Sequence, residues 1–141
     1  MQKEEVLQIH PVALAFVGDA VYSLYVREKL VKSGEDKPAV YQKAAARAVS
    51  ARGQNDLLQN IEALFTTEEA DIFRRARNAK KGSKAKSASV AEYNRSTGIE
   101  AVIGYLYLTN QFERINRLLG FISVEPQKER EIIAENKELK P

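Results

Sequence analysis

Two carboxylate side chains lie in segments of this sequence that otherwise carry no charge. Asp19 is the only charged residue between Pro11 and Val26, and Glu100 is the only one among residues 98–111. A helix that is apolar on nearly all sides belongs at the centre of a domain. A lone carboxylate there is costly unless it is paired, neutralised or bound to a cation. We therefore expect the two carboxylates to meet, with a hard divalent cation such as Mg²⁺ between or beside them.

Each carboxylate also has a purely structural interpretation. Asp19 could form an ion pair with an arginine, and the candidates are Arg27, Arg47 and Arg52. Glu100 could instead close the first turn of its own helix, because Thr97, three residues before it, completes a capping-box pattern. The sequence alone leaves both of these interpretations open, together with the metal site.

Glycine residues accompany both carboxylates. Gly18 directly precedes Asp19, and Gly104 lies four residues after Glu100, on the same helical face. Glycine inside a helix costs about 1 kcal/mol relative to alanine, so packing has to compensate for it. We therefore expect the two helices to approach each other closely at these glycines.

The composition excludes several other kinds of site. The 141 residues include no cysteine and one histidine, so disulfide scaffolds, thiolate zinc sites and His-rich metal sites are excluded. That histidine, His10, precedes Pro11 and is interpreted as a helix-entry residue. No uncharged apolar run approaches the ~18 residues of a transmembrane helix, and the N-terminus lacks the apolar core of a signal peptide. We expect a cytoplasmic protein with no membrane partner.

A basic segment between Arg74 and Arg95 indicates a polyanionic partner. It carries a net charge of +7, whereas the rest of the chain carries −4, and such a segment on a mildly acidic body is typical of nucleic-acid binding. The candidate contact residues are Arg74, Arg75, Arg77, Asn78, Lys80, Lys81, Lys84, Lys86 and Arg95. A solvated loop explains the charge alone equally well. Tyr93, at the border of the segment, is the best candidate for stacking on a base.

Helical patterns dominate the chain and predict an all-α fold. We expect one domain over residues 1–141, with its core at about 6–119 and a charged, helix-prone tail at about 125–141. The predicted helices run from Pro11 to about Lys32, from Pro38 to about Phe65 with a division at Gly53, from a capping box at Thr66 to about Arg77, from Ser96 or Thr97 to about Thr109, and from Gln111 to Leu119. Residues 78–94 are predicted to form a long exposed loop.

Two motifs around the carboxylates resemble the catalytic domain of the ribonuclease III family. The stretch from Leu14 to Val21, LAFVGDAV, is similar to the family's LEFLGDA/S-V signature. The stretch from Ile99 to Leu108, IEAVIGYLYL, is similar to the family's FEALIGAIYL helix. The resemblance extends over about Val6 to Leu119. It is closest to the Mini-ribonuclease III branch, which has the nuclease domain without a separate double-stranded-RNA-binding domain.

The resemblance implies an all-α endonuclease domain that forms a homodimer with a groove for duplex RNA and one active site per subunit. It makes Asp19 and Glu100 the catalytic residues and the metal ligands, with Mg²⁺ as the cofactor and Mn²⁺ as a substitute. The basic segment would supply the phosphate contacts of the missing binding domain. For this branch, the implied substrate is precursor large-subunit ribosomal RNA, cut in the stem that joins its ends.

Two acidic positions of the wider family are not acidic in this chain. Ala15 stands where the family has a glutamate four residues before the aspartate, and Thr97 stands where it has an aspartate three residues before the glutamate. The Mini-ribonuclease III branch shares this reduced set, so the central pair is expected to remain. The alternatives are a non-catalytic RNA-binding helical module acting in ribosome assembly, and a dimeric interaction protein whose loop only adds solubility.

Overall fold

The computed structural model describes residues 1–34, 37–81, 89–124 and 131–136. Between residues 1 and 124, the described part of the chain forms seven α-helices: α1 (Lys3–Leu7), α2 (Pro11–Lys32), α3 (Pro38–Val49), α4 (Ala51–Ile61), α5 (Thr67–Asn78), α6 (Val90–Leu108) and α7 (Phe112–Leu119). A 3₁₀ turn, Glu62–Leu64, separates α4 from α5, and residues 131–136 are helical. The described residues contain no β-strand. The predicted all-α fold class is confirmed.

Helices α2 and α6 form the centre of the fold and pack on each other more extensively than any other pair. Helix α2 begins as predicted, because Pro11 suits a first turn and His10 Nδ1 accepts a hydrogen bond of 3.1 Å from the Val12 amide. It ends at Lys32, just before Gly34, whose φ of +85° only glycine adopts readily. Between Ser96 and Leu106, every residue of α6 except Glu100 is buried, as its lack of charge predicts.

Gly18 and Gly104 lie where α2 crosses α6. A Cβ atom on Gly18 would stand 1.7 Å from the carbonyl oxygen of Glu100, and a Cβ atom on Gly104 would stand 1.9 Å from that of Leu14. Neither distance can be tolerated, so the two helix backbones are in direct contact. The close approach that the glycines predict is present in the structure.

The remaining helices enclose this pair. Helix α5 packs on α6, helices α3 and α4 pack on α2 and α6 respectively, and α7 covers the end of α6. An ion pair between Arg114 of α7 and the buried Glu69 of α5 joins these two helices. Arg114 donates from Nε to the Glu69 carboxylate over 2.9 Å and from a terminal nitrogen to the Leu64 carbonyl over 2.6 Å. Glu69 also completes the capping box with Thr66 that the sequence predicts. None of the described helices is both long enough and apolar enough to cross a membrane.

Helix α6 begins earlier than predicted. Ser89 caps it, because the Ser89 hydroxyl accepts from the Glu92 amide over 3.1 Å and the Glu92 carboxylate accepts from the Ser89 amide. Ser96 and Thr97 are therefore not caps: they are buried inside the helix, and both hydroxyls donate to the Tyr93 carbonyl. The connection between α5 and α6 is restricted to residues 79–89, so the predicted loop over 78–94 was too long.

The second predicted helix is divided at Ser50 and not at Gly53. Ser50 accepts a hydrogen bond of 3.1 Å from the Gly53 amide and so caps α4, with Gly53 inside its first turn. The short helix α1 was not predicted. Within the predicted tail, the structure describes only residues 131–136.

Adding a methyl group at the crossing is expected to force α2 and α6 apart. Gly18→Ala and Gly104→Ala should each lower the free energy of unfolding by at least about 3 kcal/mol, the upper end of ordinary overpacking costs. Gly34→Ala, where a Cβ meets no neighbour and only the backbone conformation is unfavourable, should cost about 1–2 kcal/mol. Urea unfolding of the three variants measures these costs, and equal losses for all three would contradict the close crossing.

Candidate active site

The crossing of α2 and α6 places Asp19 and Glu100 in one pocket of about 440 Å³. Asp19 is exposed at its mouth and Glu100 is half-buried. Both side chains line this pocket, and Asp19 is near enough to Glu100 to add to the effect of burial in raising the pKa of its carboxyl group. The crossing accounts for this arrangement, because Asp19 directly follows Gly18 while the Glu100 carbonyl oxygen faces Gly18.

Burial and the neighbouring Asp19 carboxylate raise the pKa of Glu100 to about 9, against an ordinary value of 4.5. A hydrogen bond from the Gln54 side chain acts in the opposite direction. Near neutral pH the Glu100 carboxyl group therefore keeps its proton. A divalent cation can take the place of such a proton, since metal ligands must be deprotonated.

Neither structural interpretation of the carboxylates accounts for this site. Arg27 donates to the Ser23 side chain, and Arg52 Nε lies 3.8 Å from the Glu92 carboxylate. The capping role for Glu100 is wrong, because α6 begins eleven residues earlier at Ser89. Glu100 therefore faces α2 from the middle of its helix.

The walls of the pocket contain several side chains with oxygen atoms but few carboxylates. Ala15 and Thr97, which replace two acidic residues of the wider ribonuclease III pattern, both line it. The described residues contain no group of three or more His, Cys, Asp or Glu side chains that could hold a metal ion. Two carboxylates suit Mg²⁺, which is usually bound through one or two carboxylates together with water and substrate phosphates.

Lys81 lies in the wall of the same pocket. Its Nζ donates to the carbonyl oxygens of Arg77 over 3.1 Å and Ala79 over 2.8 Å, just beyond the end of α5. Burial lowers the pKa of this amine. The sequence predicted Lys81 as a nucleic-acid contact but could not place its charge beside the carboxylates.

The other predicted contact residues are spread along α5, the following turn and α6. Arg74, Arg75, Asn78 and Lys80 are exposed. Arg74 pairs with Asp71 over 2.6 Å, Arg77 lies over the Phe73 ring at 5.7 Å, and Arg95 donates to Asn55 of α4. Lys84 and Lys86 lie outside the described residues. Tyr93, the predicted stacking residue, lines the carboxylate pocket.

Sequence reasoning missed Gln54. This glutamine of α4 is 3% exposed and lines the pocket beside Glu100. The signal was present in the spacing, because Gln54 shares one helical face with the apolar residues Leu57, Leu58 and Ile61. A polar residue on the buried face of an amphipathic helix needs a partner.

Comparisons with known proteins agree with the geometry. The family model for the ribonuclease III domain matches residues 12–111. The chain is similar to the Mini-ribonuclease 3 of Thermoanaerobacter sp. (strain X514), at 42% identity over 84% of each chain, and to that of Enterococcus faecalis (strain ATCC 700802 / V583), at 43% identity over 81% of this chain and 88% of the relative. A crystal structure of a Fusobacterium nucleatum protein superposes with a TM-score of 0.73 at 30% identity, covering 82% of this chain and 92% of that one.

The raised pKa of Glu100 predicts a pH-dependent stability. Its folded pKa of about 9 exceeds the unfolded value of 4.5, so the stability linked to its proton is present below pH 4.5 and is lost as pH rises towards 9. In metal-free buffer, Glu100→Gln should therefore gain stability relative to wild type between pH 5 and pH 8, by at most about 1.4 kcal/mol per unit. Urea unfolding at the two pH values measures the change. The same substitution at the exposed Glu113 serves as control. If the difference in unfolding free energy between Glu100→Gln and wild type does not vary with pH, the raised pKa of Glu100 is contradicted.

Proposed function

This chain is an endoribonuclease that belongs to the ribonuclease III domain family, within its Mini-ribonuclease 3 group, and we propose that it cuts double-stranded RNA at the pocket formed by Asp19 and Glu100. The observation that carries the assignment of the site is the apposition of these two carboxylates at the crossing of α2 and α6. Both lie in the motifs that resemble the family's metal-binding segments.

Asp19 and Glu100 would hold the divalent ion, which we propose to be Mg²⁺ with Mn²⁺ as a substitute. The fit follows from the donor set: two carboxylates that line one pocket are the hard oxygen ligands that these ions take, together with water and substrate phosphates. When bound, such an ion lowers the pKa of a coordinated water and neutralises charge that develops on the phosphodiester.

The residues of the chain have separate tasks in this proposal. Glu100 gives up its proton when the site is loaded, and Asp19 at the mouth of the pocket meets the phosphate side. Lys81 offers a positive charge in the pocket wall, where it would neutralise a non-bridging phosphate oxygen. The half-buried position of Lys81 would strengthen its interaction with the phosphate.

The exposed basic residues of α5 and the following turn would bind the RNA backbone. Arg74, Arg75, Asn78 and Lys80 lie on the same part of the chain that leads into the pocket at Lys81. A-form RNA is recognised largely through its phosphates and 2′-hydroxyls, which suits such a surface. We assign Arg77, Lys84, Lys86 and Arg95 to the same interface on the basis of charge.

A second copy of the chain would cover an apolar stripe on α2. Phe16 and Leu24 are 83% and 62% exposed, and Ala20 lies exposed between them at helical spacing. Val31 continues the stripe and lines an apolar pocket of about 530 Å³ with Tyr41. Exposed apolar surface of this kind marks an interaction site, and in a homodimer it would join two active sites on one duplex.

The finer assignment of the substrate depends on the resemblance alone. We propose that the natural duplex is the stem joining the ends of precursor large-subunit ribosomal RNA, and that the enzyme acts in the cytoplasm. A non-catalytic RNA-binding role in ribosome assembly is the outcome to be expected if the pocket binds no ion and cuts no duplex.

Removing either carboxylate should separate cleavage from binding. Asp19→Asn and Glu100→Gln are expected to lower cleavage of duplex RNA by at least about 10³-fold, since each preserves size but removes a metal ligand. Affinity for the duplex should stay within a few-fold of wild type. Glu113→Gln, on the exposed side of α7, is the control. Near-wild-type turnover of either variant at saturating Mg²⁺ would remove that residue from the site.

The reverse pattern is expected when the lysines of the basic segment are changed. Replacing Lys80, Lys81, Lys84 and Lys86 with alanine should weaken duplex binding and reduce the slope of log affinity against log salt by up to about one per lost phosphate contact. A matched triple variant that retains Lys81 isolates its role in the pocket. An unchanged salt slope would identify these lysines as a solvated surface only.

A charge placed in the apolar stripe should break the dimer. Phe16→Glu and Leu24→Glu are expected to convert a dimer at micromolar concentration into a monomer, because each would bury an unpaired carboxylate at the interface. Light scattering measures the mass. Val90→Glu, at another exposed apolar residue, should remain a dimer, and a monomeric wild-type protein would refute the proposed pairing.

A further inference from the structure

Gln54 is a buried polar residue that the site described so far does not explain. It is 3% exposed on α4, a helix that packs against α6. The Gln54 side chain lines the same pocket as Asp19 and Glu100. A structural contact of its NH₂ group with the end of α3 accounts for one side of the amide and leaves the oxygen unexplained.

The orientation of the Gln54 amide is determined by its neighbours. Its Nε2 donates to the Val49 carbonyl oxygen over 3.1 Å, and a carbonyl oxygen can only accept, so the NH₂ group must face Val49. Opposing the effect of burial, a hydrogen bond from the Gln54 side chain also lowers the pKa of Glu100. Because only the NH₂ group of an amide can donate, Oε1 takes part in neither contact.

Oε1 of Gln54 is buried and has no hydrogen-bond partner. Three hydroxyl groups of the pocket donate elsewhere: Ser50 donates to the Arg47 carbonyl, and Ser96 and Thr97 both donate to the Tyr93 carbonyl. Buried acceptors are almost always satisfied. A water molecule in the pocket can supply the donor that the described residues do not.

The pocket has room for such a donor. Its volume of about 440 Å³ far exceeds the roughly 30 Å³ that one water occupies. An ion held by only two carboxylates keeps most of its coordination positions for water, and each of those waters donates hydrogen bonds. Outer-shell acceptors of this kind orient the ligands around a metal ion.

We propose that Gln54 is a positioning residue of the metal site: its NH₂ group holds the Glu100 carboxylate, and its Oε1 accepts a hydrogen bond from a water bound to the divalent ion. This inference rests on the proposed metal site of Asp19 and Glu100. It assigns a distinct role to a residue outside the two motifs, because Gln54 would act on the ion only through Glu100 and through water.

The test is direct Mn²⁺ binding, measured without RNA from the electron paramagnetic resonance signal of the free ion. Gln54→Met preserves length and removes both amide groups, and its dissociation constant for Mn²⁺ should rise by about 10- to 100-fold. Gln59→Met, the same substitution on the exposed side of α4, should bind like wild type. In cleavage assays, Gln54→Met should need more Mg²⁺ for half-maximal rate and recover most of its rate at saturation.

Gln54→Leu is a second test, because it also removes both amide groups and differs from methionine in shape. Its dissociation constant for Mn²⁺ should rise like that of Gln54→Met. Circular dichroism in chelator establishes that each variant folds, and if Gln54→Met does not fold, the Gln54→Leu result decides. Unchanged Mn²⁺ binding by either folded variant overturns the inference.

Asp19→Asn distinguishes failure of this inference from failure of the metal site. If Asp19→Asn abolishes Mn²⁺ binding while Gln54→Met leaves it unchanged, the site stands and the role of Gln54 is wrong. If wild type binds no Mn²⁺, or Asp19→Asn binds it like wild type, the proposed metal site fails and the role of Gln54 fails with it.

Discussion

The direct contact between two helix backbones at Gly18 and Gly104 is the constraint on which the candidate active site depends. At this crossing, the position of a Cβ on either glycine is already occupied by a carbonyl oxygen of the opposite helix. Each glycine in the middle of a long helix lowers the stability of that helix by about 1 kcal/mol relative to alanine. In return, the two helix backbones approach each other more closely than any larger residue permits. Asp19 and Glu100 lie within one turn of the contact, so the same approach brings their carboxyl groups together.

The carboxyl pair is unfavourable for the stability of the fold by itself. Burial and like charge both disfavour ionisation of Glu100, which is why its pKa rises to about 9. Gln54 offsets part of this effect through its NH₂ group, while its oxygen lacks a partner. Such local conflicts between stability and arrangement are typical of functional sites. The proposed divalent cation would relieve these conflicts, because it would neutralise the carboxylates and bring water to the amide oxygen.

The sequence predicts the centre of this fold well because the relevant signals are local. Pro11 and Gly34 mark the ends of α2, Thr66 caps α5, and the absence of charge around Asp19 and Glu100 identifies the two central helices. The start of α6 was missed because Ser89 and its partner Glu92 lie in a stretch whose small and basic residues resemble a loop.

Tertiary contacts decide the parts that could not be predicted. Lys81 belongs to a basic run, and only the turn after α5 shows that it lines the carboxylate pocket while its amine donates to the Arg77 and Ala79 carbonyls. Gln54 has helical spacing with apolar residues, but its role depends on Val49 and Glu100, which lie on two other helices.

The central claim is that one divalent ion binds between the two carboxylates at the glycine crossing. Anomalous X-ray diffraction from crystals of the protein soaked in Mn²⁺ tests it most directly, since the ion is located by its own scattering. We expect a single strong anomalous peak within coordination distance of both Asp19 and Glu100, with a bound water near Gln54 Oε1. If saturating Mn²⁺ gives anomalous peaks only at other places and none near Asp19 and Glu100, the account is contradicted.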